Sequence, residues 1–540
     1  MTNAFTYSAP VSPDNTGTDL FTDRLMDFLD SSPVSFLAAH NIAQHLNAAG
    51  FSPLREEDVW ELLPGGRYYV SRNDSAVIAF CLPASSPCGK ASSTAPSSIS
   101  GMNEGCKAPS DIPTPPAFHI VASHLDSPTF RIKSNAEITV ENQYITLNVE
   151  KYGGMILSTW LDRPLSAAGR VLIRTESGVA SRLINIDRDL MIIPSVAIHM
   201  NRTINDGYKW DMKQDLRPLF SGLQPAFCTD ESSSAAAAQG KTVSAAGDAA
   251  ASSAHAAASL FRQLVAKEAS VAPEDIIDTD LYLYNRQKSV CTGLHREFIS
   301  SGRLDDLQCA YSSLAGFLEA CGNASAEDHL LCENSFAETD SRNPAPTSGL
   351  KAFADSPCIP VFCAFDNEEV GSMTRQGADS SLLRDTLRRI GEKLGWTQED
   401  FCRSIAESFM ISADNAHAVH PNHPELEDPT HRPVPNGGIV IKYSANQKYT
   451  TDAVSGAIMQ ELCRAAGVPA QVFYNRSDLL GGSTLGNISG TQLSIRTADI
   501  GLPQLAMHSS YETAGVLDGE YLAKVCRLFY QGLLPSSFSA

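Results

Sequence analysis

The chain contains no uninterrupted apolar run of about 18 residues, so it offers no candidate transmembrane helix. Its first twenty residues, MTNAFTYSAPVSPDNTGTDL, lack both a basic start and an apolar stretch, which predicts a soluble, unexported protein without a membrane partner. Positive charge is scarce. Lys and Arg number 41 against 61 Asp and Glu, and the resulting net charge of −20 is the reverse of the basic surface that nucleic acid selects. Cys-x-x-Cys pairs are also missing, and 13 scattered cysteines in 540 residues do not resemble a disulfide framework. They read as reduced core thiols of a cytoplasmic protein.

What remains is globular in texture, with 43% hydrophobic and 19% charged residues. At about 150 residues per domain, the length suggests one large unit with insertions or two domains. Three stretches interrupt the texture, at 84–113, 231–260 and 322–357, all rich in small and polar residues. Residues 231–260 hold 13 Ala and 7 Ser, which have little to bury, although alanine's propensity leaves a helix open there. All three read as surface insertions.

Between them the ordered segments alternate. TDLFTDRLMDFLD and VSFLAAHNIAQHLNAAG carry helical apolar spacing, and RYYVSRNDSAVIAF and AFHIVAS read as strands. EITVENQYITLNV, RVLIR and DLMIIPSVAIHM have β texture. After residue 305 strand-like IPVFCAF, SFMISA, GGIVIKY and AQVFY interleave with helical SLLRDTLRRIGEKL and DAVSGAIMQELCRAAG. The pattern predicts an α/β protein with a mainly parallel sheet flanked by helices, built from 1–133 and 295–540 and interrupted by a β-rich unit at 134–294.

Three predicted strands end alike: HIVAS runs into His124-Leu125-Asp126, VFCAF into Asp366-Asn367-Glu368-Glu369, and FMISA into Asp414-Asn415. Open α/β sheets place their sites at the carboxyl ends of strands. Singly, these motifs are weak, since an HxD pair is most often a turn or surface pair and adjacent glutamates are common on solvated faces. As a set they carry more, because carboxylates converging at a buried edge repel unless a cation holds them. Oxygen and imidazole donors without cysteine suit Zn²⁺, Mn²⁺ or Co²⁺, and two metals about 3.5–4 Å apart need a shared carboxylate. Asp305, in GRLDD at a helix start, can supply it, though the plainer reading of Asp305 or Asp306 is an N-cap. His508 follows the apolar PQLAM, while His417, His420 and His423 in AHAVHPNHPE suit a metal cluster and a polar loop equally.

The pieces SHLDSP, AIHMNR, GRLDD, DNEEVGS, ISADNAHAVHPN, IKYSANQKY and PQLAMHSSYE, in that order, resemble the M18 aspartyl aminopeptidases, members of the wider clan of co-catalytic zinc aminopeptidases. The insertions lie outside every motif. The resemblance implies that His124 and Asp414 bind one zinc, that Glu369 and His508 bind the other, and that Asp305 bridges them. It implies that Asp126 fixes the tautomer of His124. Glu368 would be the general base, taking the proton of a metal-bridging water and returning it to the leaving amine. On an extended strand end, successive side chains point apart, so Glu369 can hold metal while Glu368 faces the water. The family's preference for N-terminal Asp or Glu implies a pocket cation, at Lys442 and His420. His199 matches a histidine that reaches into a neighbouring subunit's site. Taken alone, Lys442 would be a solvated edge lysine and His199 a core or strand-end histidine. The β-rich unit would mediate dimerisation, with dimers building a hollow tetrahedral dodecamer.

Two rivals stand beside this reading. One is a related dizinc aminopeptidase or amidohydrolase of different specificity. The other is a non-catalytic peptide-binding assembly protein with a vestigial site, against which the presence of Glu368 beside all five candidate ligands weighs.

Overall fold

The computed structural model describes residues 16–84, 115–223, 259–321, 358–479 and 481–533, so the three expected insertions lie almost wholly outside the described residues. The largest element is a nine-stranded sheet in the order Ser52–Leu54, Arg67–Arg72, Ala76–Cys81, Ile359–Phe365, Phe118–His124, Phe409–Ala413, Arg496–Gly501, Ile439–Tyr443 and Ala470–Tyr474. Its three central strands, Ile359–Phe365, Phe118–His124 and Phe409–Ala413, are mutually parallel. Their continuous apolar sequences follow from burial on both faces. Val121, Phe362 and Ala364 face one core layer, whereas Ile120, Ala122, Val361 and Cys363 face the other, the period of two that a strand imposes.

Helices Thr16–Ser31, Ser35–Ala48, Leu304–Ala320, Ala453–Ala465 and Asp518–Tyr530 cover the first face, and Leu382–Lys393, Gln398–Glu407 and Leu485–Leu493 the second. Leu307, Tyr311 and Leu314 are buried in that first layer, with Leu318 packed against it, as their spacing predicts. Neither these helices nor any other among the described residues is long and apolar enough to cross a membrane. All nine described cysteines are free thiols; four are buried and Cys402 is exposed.

A second, six-stranded antiparallel sheet comprises Gly178–Asn185, Leu165–Thr175, Ile276–Asn285, Thr129–Val140, Tyr144–Tyr152 and Leu219–Gly222. It has its own core, closed by helix Leu260–Glu268. One expected strand is absent: of DLMIIPSVAIHM only Met191, Ile192 and Ile193 make isolated bridges, and the chain from Pro194 to Met200 is exposed. Proline has no N–H to extend a ladder, so the pairing stops at Pro194.

A small five-stranded sheet of Val290–Thr292, Phe298–Ser301, Glu512–Gly515, Pro503–Leu505 and Ala416–His417 joins distant parts of the chain. Strand Phe298–Ser301 leads into Asp305, Ala416–His417 follows Asp414, and Pro503–Leu505 and Glu512–Gly515 flank His508. Three segments that carry candidate ligands are thereby held in one hydrogen-bonded register.

Beneath the sheet, helix Leu304–Ala320 packs closely on Asp518–Tyr530. A Cβ at Gly316 would lie 2.5 Å from the Ala523 carbonyl oxygen and 2.8 Å from Cys526 Cβ. Gly316→Ala is therefore expected to destabilise the protein by about 1–3 kcal/mol through overpacking. A denaturant melt should show a lower midpoint at unchanged slope; an unmoved midpoint would mean that the helices separate freely.

Candidate active site

His124 ends its strand directly opposite Phe365, and the Leu125 N–H donates to the Phe365 carbonyl at 2.9 Å. Two chain reversals then bring carboxylates to it. After Phe365, Asn367 adopts φ +62°, a left-handed conformation that asparagine tolerates. Its Oδ1 accepts from Thr374 Oγ1 at 2.9 Å and Gln376 Nε2 at 2.7 Å, which closes the loop. Glu368–Val370 then form a single 3₁₀ turn. This corrects the expectation of an extended end: the two glutamates diverge because successive residues in a 3₁₀ turn are about 120° apart. At the second reversal Asp305 and Asp306 depart from helical geometry at the head of helix Leu304–Ala320, which leaves the Asp305 carboxylate buried under the sheet edge.

The structure brings His124, Asp305, Glu369, Asp414 and His508 together. His124 Nε2 lies 3.5 Å from Asp305 Oδ1 and 3.8 Å from Asp414 Oδ1. His508 Nε2 lies 3.3 Å from Asp305 Oδ2 and 3.4 Å from Glu369 Oε1. Asp305 thus offers one oxygen to each imidazole. Among the described residues, three or more potential ligand atoms converge only around His124, once with Asp305 and Glu369 and once with Asp306 and Asp414.

These distances test whether a metal fits. Two donors about 2.0–2.2 Å from one tetrahedral zinc lie about 3.3–3.6 Å apart, the spacing found between most of these imidazole and carboxylate atoms. Asp305 Oδ1, Asp306 Oδ1 and Glu369 Oε1 are buried without a hydrogen-bond partner, a costly state for carboxylate oxygens that no cation shares. The donor set fits zinc.

Protonation tells the same story. Burial first, and then the Asp305 charge, push the Glu369 carboxyl far above the usual range. Burial likewise drives Glu368 up to about 8, opposed by His124 and reinforced by Asp414 and Asp126. Burial would lower His508, yet its bond to Asp305 outweighs that and raises it to about 9. Without metal, the cluster holds protons in its place.

Buried charged side chains grip the backbone of each candidate ligand. The Asp126 carboxylate accepts from the N–H groups of Glu368 at 3.0 Å and Glu369 at 3.1 Å, and from the Tyr152 hydroxyl at 2.7 Å. Asp306 Oδ2 accepts from His124 N–H at 3.1 Å. Lys442, 2% exposed, donates from Nζ to the carbonyls of Asp414 at 2.7 Å and Asn415 at 3.3 Å. Both histidine tautomers are set by Nδ1: that of His124 faces the Asp126 carbonyl at 3.1 Å, nearer than the Asp126 carboxylate at 3.4 Å. That of His508 faces the Gly154 carbonyl, at the end of a strand of the six-stranded sheet, at 2.5 Å. Both rings therefore present Nε2 to the centre.

The other expected site residues are dispersed. His417 is solvent-accessible but hemmed in near the centre, where burial and then the Lys442 charge lower its pKa. His420 and His423 are exposed, their rings 5.3 Å apart, so the histidine trio does not form one cluster. His199 lies on the exposed segment after Pro194. Sequence reasoning missed Tyr152, Gly154 and Glu512, and weighed Asp306 only as an N-cap, whereas its carboxylate accepts from the His124 N–H. Glu512 lies inside the PQLAMHSSYE motif, but nothing in its spacing distinguished it.

Imidazole and carboxylate donors grouped at the carboxyl ends of a mainly parallel sheet, with a further glutamate beside them, define a metal-dependent α/β hydrolase. The profile described as aminopeptidase I zinc metalloprotease (M18) matches residues 28–97, 109–338 and 345–530. The chain belongs to the M18 family of zinc metalloproteases and is a zinc aminopeptidase. It is 40% identical over 513 residues to the probable M18 family aminopeptidase 2 of Clostridium acetobutylicum, covering 94% of this chain and 98% of that protein. The counterpart of the same name from Pseudomonas aeruginosa is 35% identical over 506 residues, at 94% and 97% coverage. Ape4, in a cryo-EM structure of its complex with Nbr1, superposes with a TM-score of 0.77 at 30% identity, covering 95% of this chain and 86% of that one.

Metal binding must displace the protons that the empty cluster holds. Because His508 is raised to about 9, zinc affinity of the chelated protein is expected to climb from pH 6.5 to about 9, by about tenfold per pH unit for each proton released. Calorimetric titration in buffers of different ionisation enthalpy measures that release. Binding without it would show that these imidazoles and carboxyls are not the ligands.

Proposed function

We propose that this aminopeptidase holds two metal ions per chain and removes acidic residues from peptide N-termini, with Glu368 as general base. The supporting observation is the division of labour in one 3₁₀ turn. Glu369 lies 3.4 Å from His508 and joins His124 and Asp305 in a group of converging potential ligand atoms, whereas Glu368, its neighbour in the turn, joins no such group among the described residues. His124 and Asp414 would hold one zinc and His508 and Glu369 the other, with Asp305 shared; Mn²⁺ or Co²⁺ suits the same donors. When bound, the metal supplies an acidified water and polarises the scissile carbonyl. Glu368 would accept a proton from the attacking water and return it to the departing amine, a task suited to a carboxyl whose proton affinity burial raises well above that of a solvated glutamate. Asp126 keeps the base in place by holding the Glu368 N–H.

Acidic specificity would rest on the Lys442 charge beside Asp414 and on the exposed His420 as a hydrogen-bond partner for the substrate side chain. The burial of Lys442 supports a second reading, an aminopeptidase of broader preference, because its Nζ already donates to two carbonyls and lies 3.7 Å from Asp414 Oδ2. If Lys442 reads substrate, Lys442→Ala should lower kcat/KM for acidic N-termini by about 10- to 150-fold and spare neutral ones. Equal losses on both would assign Lys442 to holding Asp414.

The units 1–133 with 295–540, and 134–294, would act as catalytic and dimerisation domains, with His199 reaching a neighbouring chain's site. Support comes from a mApe1 dodecamer of S. cerevisiae, which shares the fold at 24% identity and a TM-score of 0.67, over 95% of each chain. A cytoplasmic location agrees with the free thiols.

The two glutamates give the direct test. Glu368→Gln should keep its metal while the rate falls by about 10²–10⁴. Glu369→Gln should lose occupancy of one ion and regain activity in excess metal. Metal content measured beside kcat decides: loss of metal from Glu368→Gln with full loading of Glu369→Gln would reverse the assignment.

A further inference from the structure

Glu512 opens the strand Glu512–Gly515, four residues beyond His508, and is 2% exposed. Its Oε1 accepts from the His508 N–H at 2.7 Å, and its Oε2 accepts from the Asp305 N–H at 3.1 Å, across 207 residues of sequence. One buried carboxylate therefore spans two backbones whose side chains face each other, His508 Nε2 to Asp305 Oδ2, at 3.3 Å.

A second observation shows that this turn needs holding. Ala506 and His508 have φ +57° and +65°, left-handed conformations that alanine and histidine seldom adopt and that persist only where the surroundings over-determine them. The Ser509 N–H closes the turn on the Ala506 carbonyl at 2.9 Å, the Ile156 N–H donates to the His508 carbonyl at 3.0 Å, and Glu512 holds the His508 N–H. Of these, only the Glu512 bond also reaches Asp305. His124 and Asp414 are held by other groups, Asp306 and Lys442.

We propose that Glu512 is a positioning residue of the metal centre: by accepting both N–H groups it sets the spacing between Asp305 and His508, and so controls loading on the His508 side, where it holds two ligands, more strongly than on the His124 side, where it holds only the shared Asp305. The inference rests on the reading of His508, Glu369 and Asp305 as metal ligands. A glutamine at 512 keeps the volume, but its amide nitrogen cannot accept, so one of the two N–H groups loses its partner. An aspartate is one methylene shorter and cannot reach both.

The test is a Co²⁺ titration of metal-free wild type, Glu512→Gln and Glu512→Asp, followed by visible absorption, bound-metal stoichiometry and chelator challenge. Wild type should take up two ions. Both variants should bind one ion about 10- to 100-fold more weakly, the usual range for a group that orients a ligand, and the other with a clearly smaller loss passed on through the shared Asp305. The band of the weakened ion should be missing at equimolar metal. Denaturant melts of the metal-free forms identify a variant that fails to fold, in which case the other decides. A folded variant that binds both ions like wild type, or weakens both equally, overturns the proposal. A wild type that binds no metal overturns the metal-centre reading itself.

Discussion

Carboxylates share a space from which water is excluded only if a cation or bound protons share it with them, and this constraint organises the protein. Asp305, Asp306, Glu369 and Asp414 crowd against two imidazoles at the edge of three parallel strands. Three of their oxygens have no hydrogen-bond partner among the described residues. Lys442 does not neutralise them all, since its nearest carboxylate oxygen belongs to Asp414 alone, at 3.7 Å. Such an arrangement favours a bound cation, which would compensate the buried charges.

The arrangement is held through backbone more than through side chains. Asp126 grips the turn that carries both glutamates, Asp306 grips His124, and Lys442 grips Asp414. A buried carboxylate that accepts amide N–H groups is satisfied and at the same time immobilises the segment it holds. The candidate ligands are then left with few competing bonds: Asp305 Oδ1, Asp306 Oδ1 and Glu369 Oε1 have no hydrogen-bond partner among the described residues.

The three sheets divide the work. The nine-stranded sheet delivers His124 and Glu369 from adjacent parallel strands, while the five-stranded sheet registers the segments bearing Asp305, Asp414 and His508. The six-stranded sheet contributes Gly154, whose carbonyl orients His508, and Tyr152, whose hydroxyl donates to Asp126. Gly153 permits that approach, for at φ +76° a Cβ there would stand 3.0 Å from Glu369 Cβ. The interrupting sheet is thus part of the active-site wall, and its chemistry cannot be separated from that of the catalytic sheet.

Local pattern carried much of this. Short, largely apolar runs such as FHIVASH and IPVFCAF declared buried strands, and helical spacing from Leu307 to Leu318 declared the face of a core helix. Acidic and imidazole residues at or just beyond the ends of such runs marked the candidate ligands that the structure brings together, because a strand's end in a parallel sheet is where polar groups can gather. Pro194 ended a predicted strand, and the left-handed Asn367 turned an expected extended end into a 3₁₀ turn; both depend on backbone geometry that apolar periodicity does not record. By itself the sequence determined which residue types were available for a metal, and on which strand ends. Tertiary structure alone decided that Glu512 meets Asp305, that Asp306 meets His124 and that Lys442 is buried against Asp414, because a hydrogen bond to a backbone far away in sequence leaves no periodic trace in the residues that make it.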